Sequence, residues 1–381
     1  MGYPGNPGNR NSWSETTDPG MPALPSYRAP KQAQPYGAPL RRSMPPYPRR
    51  PGHVRRIILA VMAVVVVGSI AAGLLVHRLA DFGSAISSQS PFSTQTGYMS
   101  GVGRVNLVVL GYGGVGHDGA YLTDSLMVIS VVPSTGATSM ISVPRDLWVQ
   151  IPPESGQYGK INSAFENGIS AGFQGMPAGV DAGGAEATNK VTDVLGMDVS
   201  YWMSIDFSGF RDLVDALGGV TVNVPTAFTA RYPRNDDPRI DASWKTIHFN
   251  TGPQHFNGEQ AIEYARARYV LSPASEGTDF ARSERQQLLI RAIADRMRQP
   301  SAWPGMLNAL QVLQKTIHTN LSMTDLGLFT SKLQLSKAAH IGLSNQNVLQ
   351  DGSGPGGQYI LQPRSGDWTA IHSYVASHLA K

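Results

Sequence analysis

The sequence predicts an α/β domain, a mixed central β-sheet with helices on both faces (αβα layers), preceded by a disordered tail and one transmembrane helix. Three observations predict it. Two continuous apolar runs rich in β-branched residues, 105–110 (VNLVVL) and 125–132 (SLMVISVV), have the character of strands buried on both sides. Strand-like and amphipathic helical segments then alternate towards the C-terminus, which is the pattern of a layered domain. Residues 57–76 (IILAVMAVVVVGSIAAGLLV) are twenty positions without a charge, enough for a helix to cross a hydrocarbon core of about 30 Å.

Residues 1–56 hold 12 of the 27 prolines and no long apolar run, so they cannot bury enough surface to offset chain entropy. They carry nine Lys and Arg against two acidic residues, a charge of +7 in a chain of net +4, which leaves about −3 on residues 57–381. The high pI therefore belongs to the tail. No nucleic-acid partner is expected, because the tail has no module that interleaves aromatic and basic residues.

Arg49, Arg50, Arg55 and Arg56 precede the apolar run, and only His77 and Arg78 follow it closely. The positive-inside rule puts the tail in the cytoplasm and the larger part outside the cell. The run is too long for a signal-peptide core and no A-x-A-like site follows it, so a single-pass anchor in the cell membrane is favoured over a cleaved signal. Residues 77–100 are expected to be a linker, and 101–381 one extracellular domain with no clear internal boundary. The chain has no cysteine, which excludes cysteine nucleophiles, iron–sulfur clusters and thiolate zinc sites.

The stretch 105–146 anchors the domain. Pro133-Ser134-Thr135-Gly136 is turn chemistry, so the second apolar run should fold back on 137–143 as a hairpin. Two polar clusters then lie side by side at strand ends: the loop with His117, Asp118 and Asp124, and the segment Pro144-Arg145-Asp146. Carboxylates and an arginine in that setting suit a phosphate-and-metal site. Gly111, Gly113 and Gly116 match a dinucleotide fingerprint literally. Only eight residues (117–124) separate the last glycine from the next apolar run, too few for the crossover helix that the fingerprint requires. The glycines are better suited to tight turns or close approach to a ligand.

Further along, 147–151 is expected to be extended, and a helix to open near 160–165. A glycine-rich surface loop is expected over 168–184, a helix over 185–195 and a strand over 201–207. Phe210, Leu213, Val214 and Leu217 give the next helix an apolar stripe that Gly218-Gly219 ends, and 220–224 is a strand. Residues 226–256 look like a long polar loop containing aromatics, the kind that serves as a lid or binding loop. A short helix follows to about Arg268, then a strong helix over 281–298, two amphipathic helices over 303–317 and 324–335, a strand at 359–362 and a last helix. Leu107, Val109, Met127, Ile129 and Met140 are expected in the core, although an apolar groove for a lipid would use the same residue types.

Asp118, Asp124, Arg145, Lys160, Arg266, Arg268, Asp279, Arg282, Arg285 and Gln286 are the candidate site residues. Arg282 and Gln286, at i and i+4, share a helix face. Arg266 and Arg268 would point apart in a regular helix, so both meet one ligand only if the helix ends there. The segments VNLVVLG, LTDSLMVIS, SMISVPRD, KINSAF, VDALGGVTVNVP, HFNGEQAIEYARAR and DFARSERQQ, in this order and spacing over 105–295, resemble the LytR-CpsA-Psr family of cell-wall glycopolymer transferases. Residues 300–381 would be a C-terminal extension.

The resemblance implies a phosphotransferase at the outer face of the membrane. It would move a glycopolymer from a polyprenyl-pyrophosphate carrier onto peptidoglycan and make a phosphodiester. Arg145, Arg266, Arg268, Arg282 and Gln286 would hold the pyrophosphate, with Lys160 nearby, and Asp124 would bind magnesium. The residue types suit this, since arginine pairs bidentately with phosphate, and cations stabilise charge on a transferring phosphoryl group. Two positions depart from the family pattern: Gly113 stands where an aspartate is usual, and Leu122 where an arginine is usual. Asp118 is a candidate replacement for the first, and also a candidate solvated turn residue. Asp279 is a candidate base for the acceptor hydroxyl, and also a candidate N-cap of its helix. Other readings are a polyprenyl-pyrophosphate hydrolase using the same residues, and a wall-binding scaffold that has lost catalysis.

Overall fold

The structure, a computed structural model, describes residues 53–86 and 103–381 apart from Pro153 and Asp236. Most of the basic tail and much of the expected linker lie outside the described residues. His53–Ile86 form one helix of 34 residues, α1. Its stretch Val61–Ala85, with a mean hydropathy of 2.0, is long and apolar enough to cross a membrane. The helix runs on through residues 77–86, where a linker was expected. There Leu79 and Phe82 turn from the apolar span to pack with Leu310, Leu313 and Ile317.

Beyond it, β1 (Val105–Tyr112), β2 (Thr123–Val131) and β3 (Thr138–Val143) form the expected antiparallel meander. Gly136 closes the second turn at φ 74°, a conformation that a side chain would strain. β4 (Trp148–Gln150) and β5 (Tyr158–Lys160) make a small hairpin. Next come α2 (Ser163–Ala171), α3 (Val180–Leu195), β6 (Tyr201–Asp206) and α4 (Phe207–Ala216). The glycine-rich stretch 168–184 is thus helical at both ends, up to Ala171 and from Val180, and only 172–179 form a loop. A Cβ on Gly183 would lie 2.6 Å from the Phe165 carbonyl oxygen, and one on Gly184 2.3 Å from the Trp202 ring. Glycine there lets α3 lie directly against α2 and β6.

β7 (Val220–Val224) is followed by β8 (Phe228–Pro233), β9 (Trp244–Phe249) and β10 (Gly252–Phe256). The last three replace the long loop expected over 226–256. Phe228, Ala230 and Tyr232 on β8 are buried, as are Ile247 and Phe249 on β9. The alternation is shallow on both strands, and the polar residues between conceal it. The remainder is α5 (Gly258–Arg266), β11 (Tyr269–Ser272), α6 (Asp279–Met297), α7 (Trp303–Leu313), β12 (Ile317–Thr319), α8 (Met323–Lys332), β13 (Ala339–Gly342), β14 (Leu349–Ser353), β15 (Tyr359–Pro363) and α9 (Thr369–His378). The helix expected over 303–317 stops at Leu313, because Ile317–Thr319 pair with β6.

The central sheet has the order β12-β6-β1-β2-β3-β13. It is mixed: β1 runs parallel to β6, and β3 to β13, while the other pairs are antiparallel. Successive side chains of a strand leave on opposite faces, and β1 shows the consequence. Val108, Leu110 and Tyr112 pack with Phe165 of α2, Val191 of α3 and Val375 of α9. Val105 and Leu107 pack with Phe329 of α8 and Ile290 of α6. Helices therefore cover both faces, as predicted. Met127, Ile129 and Met140 lie in the same second-face core as Leu107, with Val109 half-buried beside them. A separate core joins β7, β8, β9 and β10 to α4, α5 and α6 through Val222, Phe228, Phe249, Tyr264 and Leu289. It fixes the segment that carries most of the site's arginines.

Candidate active site

A cleft of about 360 Å³ opens where β1 ends and β2 begins. Asp118, Asp124, Arg145, Arg266, Arg268, Arg282 and Gln286 all line it, so seven of the residues singled out in the sequence converge. Two others stand one contact behind. Lys160 Nζ lies 2.6 Å from Asp146 Oδ1, and Asp146 Oδ2 lies 3.5 Å from Arg145 Nε. Asp279 Oδ1 lies 2.5 Å from Arg282 Nη2. The N-cap of α6 is Thr278, whose hydroxyl accepts from the Ala281 amide at 3.1 Å, so Asp279 does not cap the helix. Its carboxylate is committed to Arg282 instead.

The local chain path explains how Arg266 and Arg268 reach one ligand. α5 starts with a capping box between Asn257 and Gln260 and stops at Arg266, after which Ala267 takes an extended ψ of 112°. Arg268 therefore leaves the helical path, and both guanidinium groups enter the cleft.

Arg285 holds this corner in place. It is 2% exposed and donates to the carbonyls of Tyr264 (3.1 Å), Ala267 (2.7 Å) and Glu276 (2.9 Å), and to the Glu276 carboxylate (3.2 Å). Burial pulls its guanidinium pKa down, and Glu276 counteracts this. It is a strut beneath the site rather than part of its lining.

Opposing charges are closely balanced at one side of the cleft and not at the other. Arg145 Nη1 is ion-paired with Asp124 Oδ1. Gln286 accepts from the Ser125 hydroxyl at 3.0 Å. Arg268, in contrast, makes no hydrogen bond or ion pair with a described residue. Loss of solvent, then Arg282 and Arg145, pull its pKa down to about 10, against the smaller effects of Asp124 and Asp146. The residue still presents surface to the cleft. A cation disfavoured by neighbouring cations and lacking a counter-ion is a receptor for an anion.

Arg266 is held rigidly. Nη1 donates to the Tyr232 hydroxyl at 2.8 Å, Nη2 lies 2.8 Å from His117 Nε2, and the guanidinium stacks 3.9 Å from the centre of the Phe207 ring. Tyr232, His117 and Phe207 were not among the candidates. Tyr232 was hidden in the supposed loop, and Phe207 was assigned only to a strand. His117 sits beside Asp118, but sequence alone does not show that its ring faces Arg266.

Among the described residues, no group of three or more His, Cys, Asp or Glu side chains converges as a metal site. Asp118, Asp124 and Asp241 line the cleft separately. One or two carboxylates suit magnesium when phosphate oxygens and water complete its shell. The donor set fits a metal carried in with a phosphate ligand rather than a protein-only site.

The LytR_cpsA_psr family model matches residues 77–371. The teichoic acid transferase TagV of Bacillus subtilis (strain 168) is 28% identical over 266 residues, covering 68% of this chain and 60% of that protein. TagU of Bacillus mycoides (strain KBAB4) is 30% identical over 218 residues, covering 57% of this chain and 60% of its own. Both bear the name polyisoprenyl-teichoic acid–peptidoglycan teichoic acid transferase. The chain spans about 60% of the length of these curated relatives. The crystal structure of B. subtilis TagV superposes with a TM-score of 0.52 at 25% identity, covering 72% of this chain and 97% of that one. B. subtilis TagU shares the fold, with a TM-score of 0.50 at 23% identity over 74% of this chain and 98% of its own. The match extends through the sheet, the arginine-lined cleft and the helices that carry it: the chain belongs to the LytR-CpsA-Psr family.

Proposed function

We propose that the protein is a membrane-anchored phosphotransferase that moves a glycopolymer from a polyprenyl-pyrophosphate carrier onto peptidoglycan at the outer face of the membrane. The single observation that carries this reading is the cleft in which four arginines, Arg145, Arg266, Arg268 and Arg282, converge and Arg268 lacks a counter-ion. A pyrophosphate supplies the missing charge, and its planar oxygen pairs match guanidinium groups. The relatives' names, which pair a polyisoprenyl-linked polymer with peptidoglycan, support the donor and acceptor classes. The tail would lie in the cytoplasm, as its arginines suggest.

In the proposed reaction, an acceptor hydroxyl attacks the phosphorus that bears the glycopolymer. A new P–O bond forms, the pyrophosphate P–O bond breaks, polyprenyl phosphate leaves and the hydroxyl proton passes to a base. Arg266, fixed by Tyr232, His117 and Phe207, and Arg268 hold the pyrophosphate in place with no reorganisation at the moment of reaction. Arg145 and Arg282 are released from Asp124 and Asp279 as the ligand takes up their charge. Asp279, freed in this way beside the cleft, is positioned to accept the proton. Magnesium would be held by Asp124, with Asp118 as second carboxylate, and would offset charge on the phosphate oxygens.

The full chain in detergent micelles, given a synthetic polyprenyl-pyrophosphate saccharide and a peptidoglycan fragment, tests this. A coupled product that disappears in Arg268→Ala supports the transferase. Free phosphorylated sugar without coupled product points to a hydrolase, and binding without any turnover to a scaffold.

A further inference from the structure

A second depression, of about 530 Å³, lies between the β4–β5 hairpin, α3 and the β14–β15 hairpin. Three aromatic side chains, Trp148, Tyr158 and Trp368, and three amides, Gln150, Gln350 and Gln362, line it. Tyr158 is 58% exposed. Among the described residues, the side chains of Tyr158, Gln350 and Gln362 form no hydrogen bond, so their polar groups are open to a ligand. The charged residues at its wall cancel, with Lys190 Nζ 2.6 Å from Asp193 Oδ2.

Flat aromatic faces with amides that both donate and accept are the chemistry that holds sugar rings, apolar on their C–H faces and hydroxyl-rich at their edges. The cancelled charge disfavours a polyanion, which the arginine cleft would attract.

We propose that this groove binds a neutral glycan strand and presents it, as acceptor, to the arginine cleft. The presentation rests on the transferase reading; the binding does not. Two elements connect the sites. Trp148 faces Lys160 across the β4–β5 hairpin, and Gln150 faces Tyr158, so one face of the hairpin carries groove residues and the lysine that reaches Asp146. β15 runs from Gln362 in the groove back to Tyr359, and the Leu361 amide donates to the Asp146 carbonyl at 2.9 Å. A glycan bound at Gln362 lies next to Leu361, whose amide reaches Asp146, the partner of both Lys160 and Arg145.

The test uses the full chain in detergent micelles, with an N-acetylglucosamine tetramer as the neutral probe and soluble poly(glycerol phosphate) as the polyanionic one. The tetramer is expected to bind, and Tyr158→Ala and Gln350→Ala, both at exposed positions, each to weaken it about tenfold. Inorganic pyrophosphate binding should be unchanged in both variants. No binding of the tetramer to the wild type, or equal binding to both variants, overturns the proposal. So does poly(glycerol phosphate) binding that depends on Tyr158. The coupled reaction separates the two readings. Transfer with an unaltered acceptor KM in Tyr158→Ala defeats the groove and leaves the transferase. Tyr158-dependent glycan binding with no transfer under any condition leaves the groove and defeats the transferase.

Discussion

The His117 ring occupies the space that a side chain at position 113 would need: a Cβ on Gly113 would lie 2.4 Å from His117 Cγ. The ring is held there from two other sides. It meets Phe207 edge-on with centroids 5.2 Å apart, and its Nε2 lies 2.8 Å from Arg266 Nη2. The space that a side chain at position 113 would need is therefore filled here by an imidazole that braces Arg266, the arginine proposed to hold the pyrophosphate.

Gly113→Asp should displace His117 and loosen Arg266, weakening pyrophosphate binding about tenfold or more. The double variant Gly113→Asp/His117→Gly removes the clash and should recover part of that loss, with a coupling energy of about 0.5–3 kcal/mol. Titration calorimetry with pyrophosphate on the wild type, both single variants and the double variant measures it. Strict additivity would show that the two positions do not share the space.

Arg285→Ala leaves three carbonyl oxygens and the Glu276 carboxylate without their donor. Removing one partner of a buried ion pair costs about 3–5 kcal/mol. Thermal unfolding should fall by about 10 °C, since each kcal/mol moves Tm by roughly 2–4 °C in domains of this size. Arg266→Ala, with its guanidinium in the cleft, should weaken pyrophosphate binding with a far smaller shift in Tm.

His340 gives the stability a pH dependence. Burial first, and then the neighbouring Arg291, hold its pKa down to about 4, from an ordinary 6.5. Arg291 Nη2 contacts its Nε2, which accepts a hydrogen bond only when the ring is neutral. The folded state therefore prefers neutral imidazole. Its stabilisation is complete above pH 6.5 and is lost as pH falls from 6.5 towards 4. Solvent still reaches part of the residue, so the discounted effect is on the order of 1 kcal/mol. Denaturant unfolding from pH 7 to pH 4.5 should show this loss in the wild type and less of it in His340→Gln.

Asp124 and Asp118 should differ in their effect on magnesium. Asp124→Ala frees Arg145 and removes the proposed principal ligand, so magnesium should no longer tighten pyrophosphate binding. Asp118→Ala should shift the magnesium requirement upward by about tenfold while leaving metal-free pyrophosphate binding intact. Calorimetry with and without magnesium checks both. An unaltered magnesium response in Asp118→Ala would return that residue to the solvated turn role.

Much of this site was legible because its chemistry sits at element ends that the sequence marks. The buried apolar runs of β1 and β2 place Asp124, and the end of β3 places Arg145. The i, i+2 spacing of Arg266 and Arg268 requires a helix end between them, and α5 supplies it. Less legible were contacts made across long sequence separations. The bracing of Arg266 by Tyr232 depends on the packing of β8 against α5, and its contact with His117 spans 149 positions. Glycines misled over part of 168–184: Gly168, Gly183 and Gly184 mark close helix packing rather than a surface loop, whereas Gly172, Gly175 and Gly179 lie in the loop between α2 and α3. Arg285 is one turn of helix from Arg282 and of the same chemical type, yet it points into the core.

The most direct measurement is product mass from the full chain incubated with a polyprenyl-pyrophosphate saccharide, a peptidoglycan fragment and magnesium, comparing the wild type with Arg268→Ala. The wild type should give a saccharide–phosphate–peptidoglycan adduct, reduced at least a hundredfold in Arg268→Ala, a loss of roughly 2.7 kcal/mol. An adduct formed equally well by Arg268→Ala would contradict this, because the unpaired cation in the cleft would then have no part in holding the pyrophosphate.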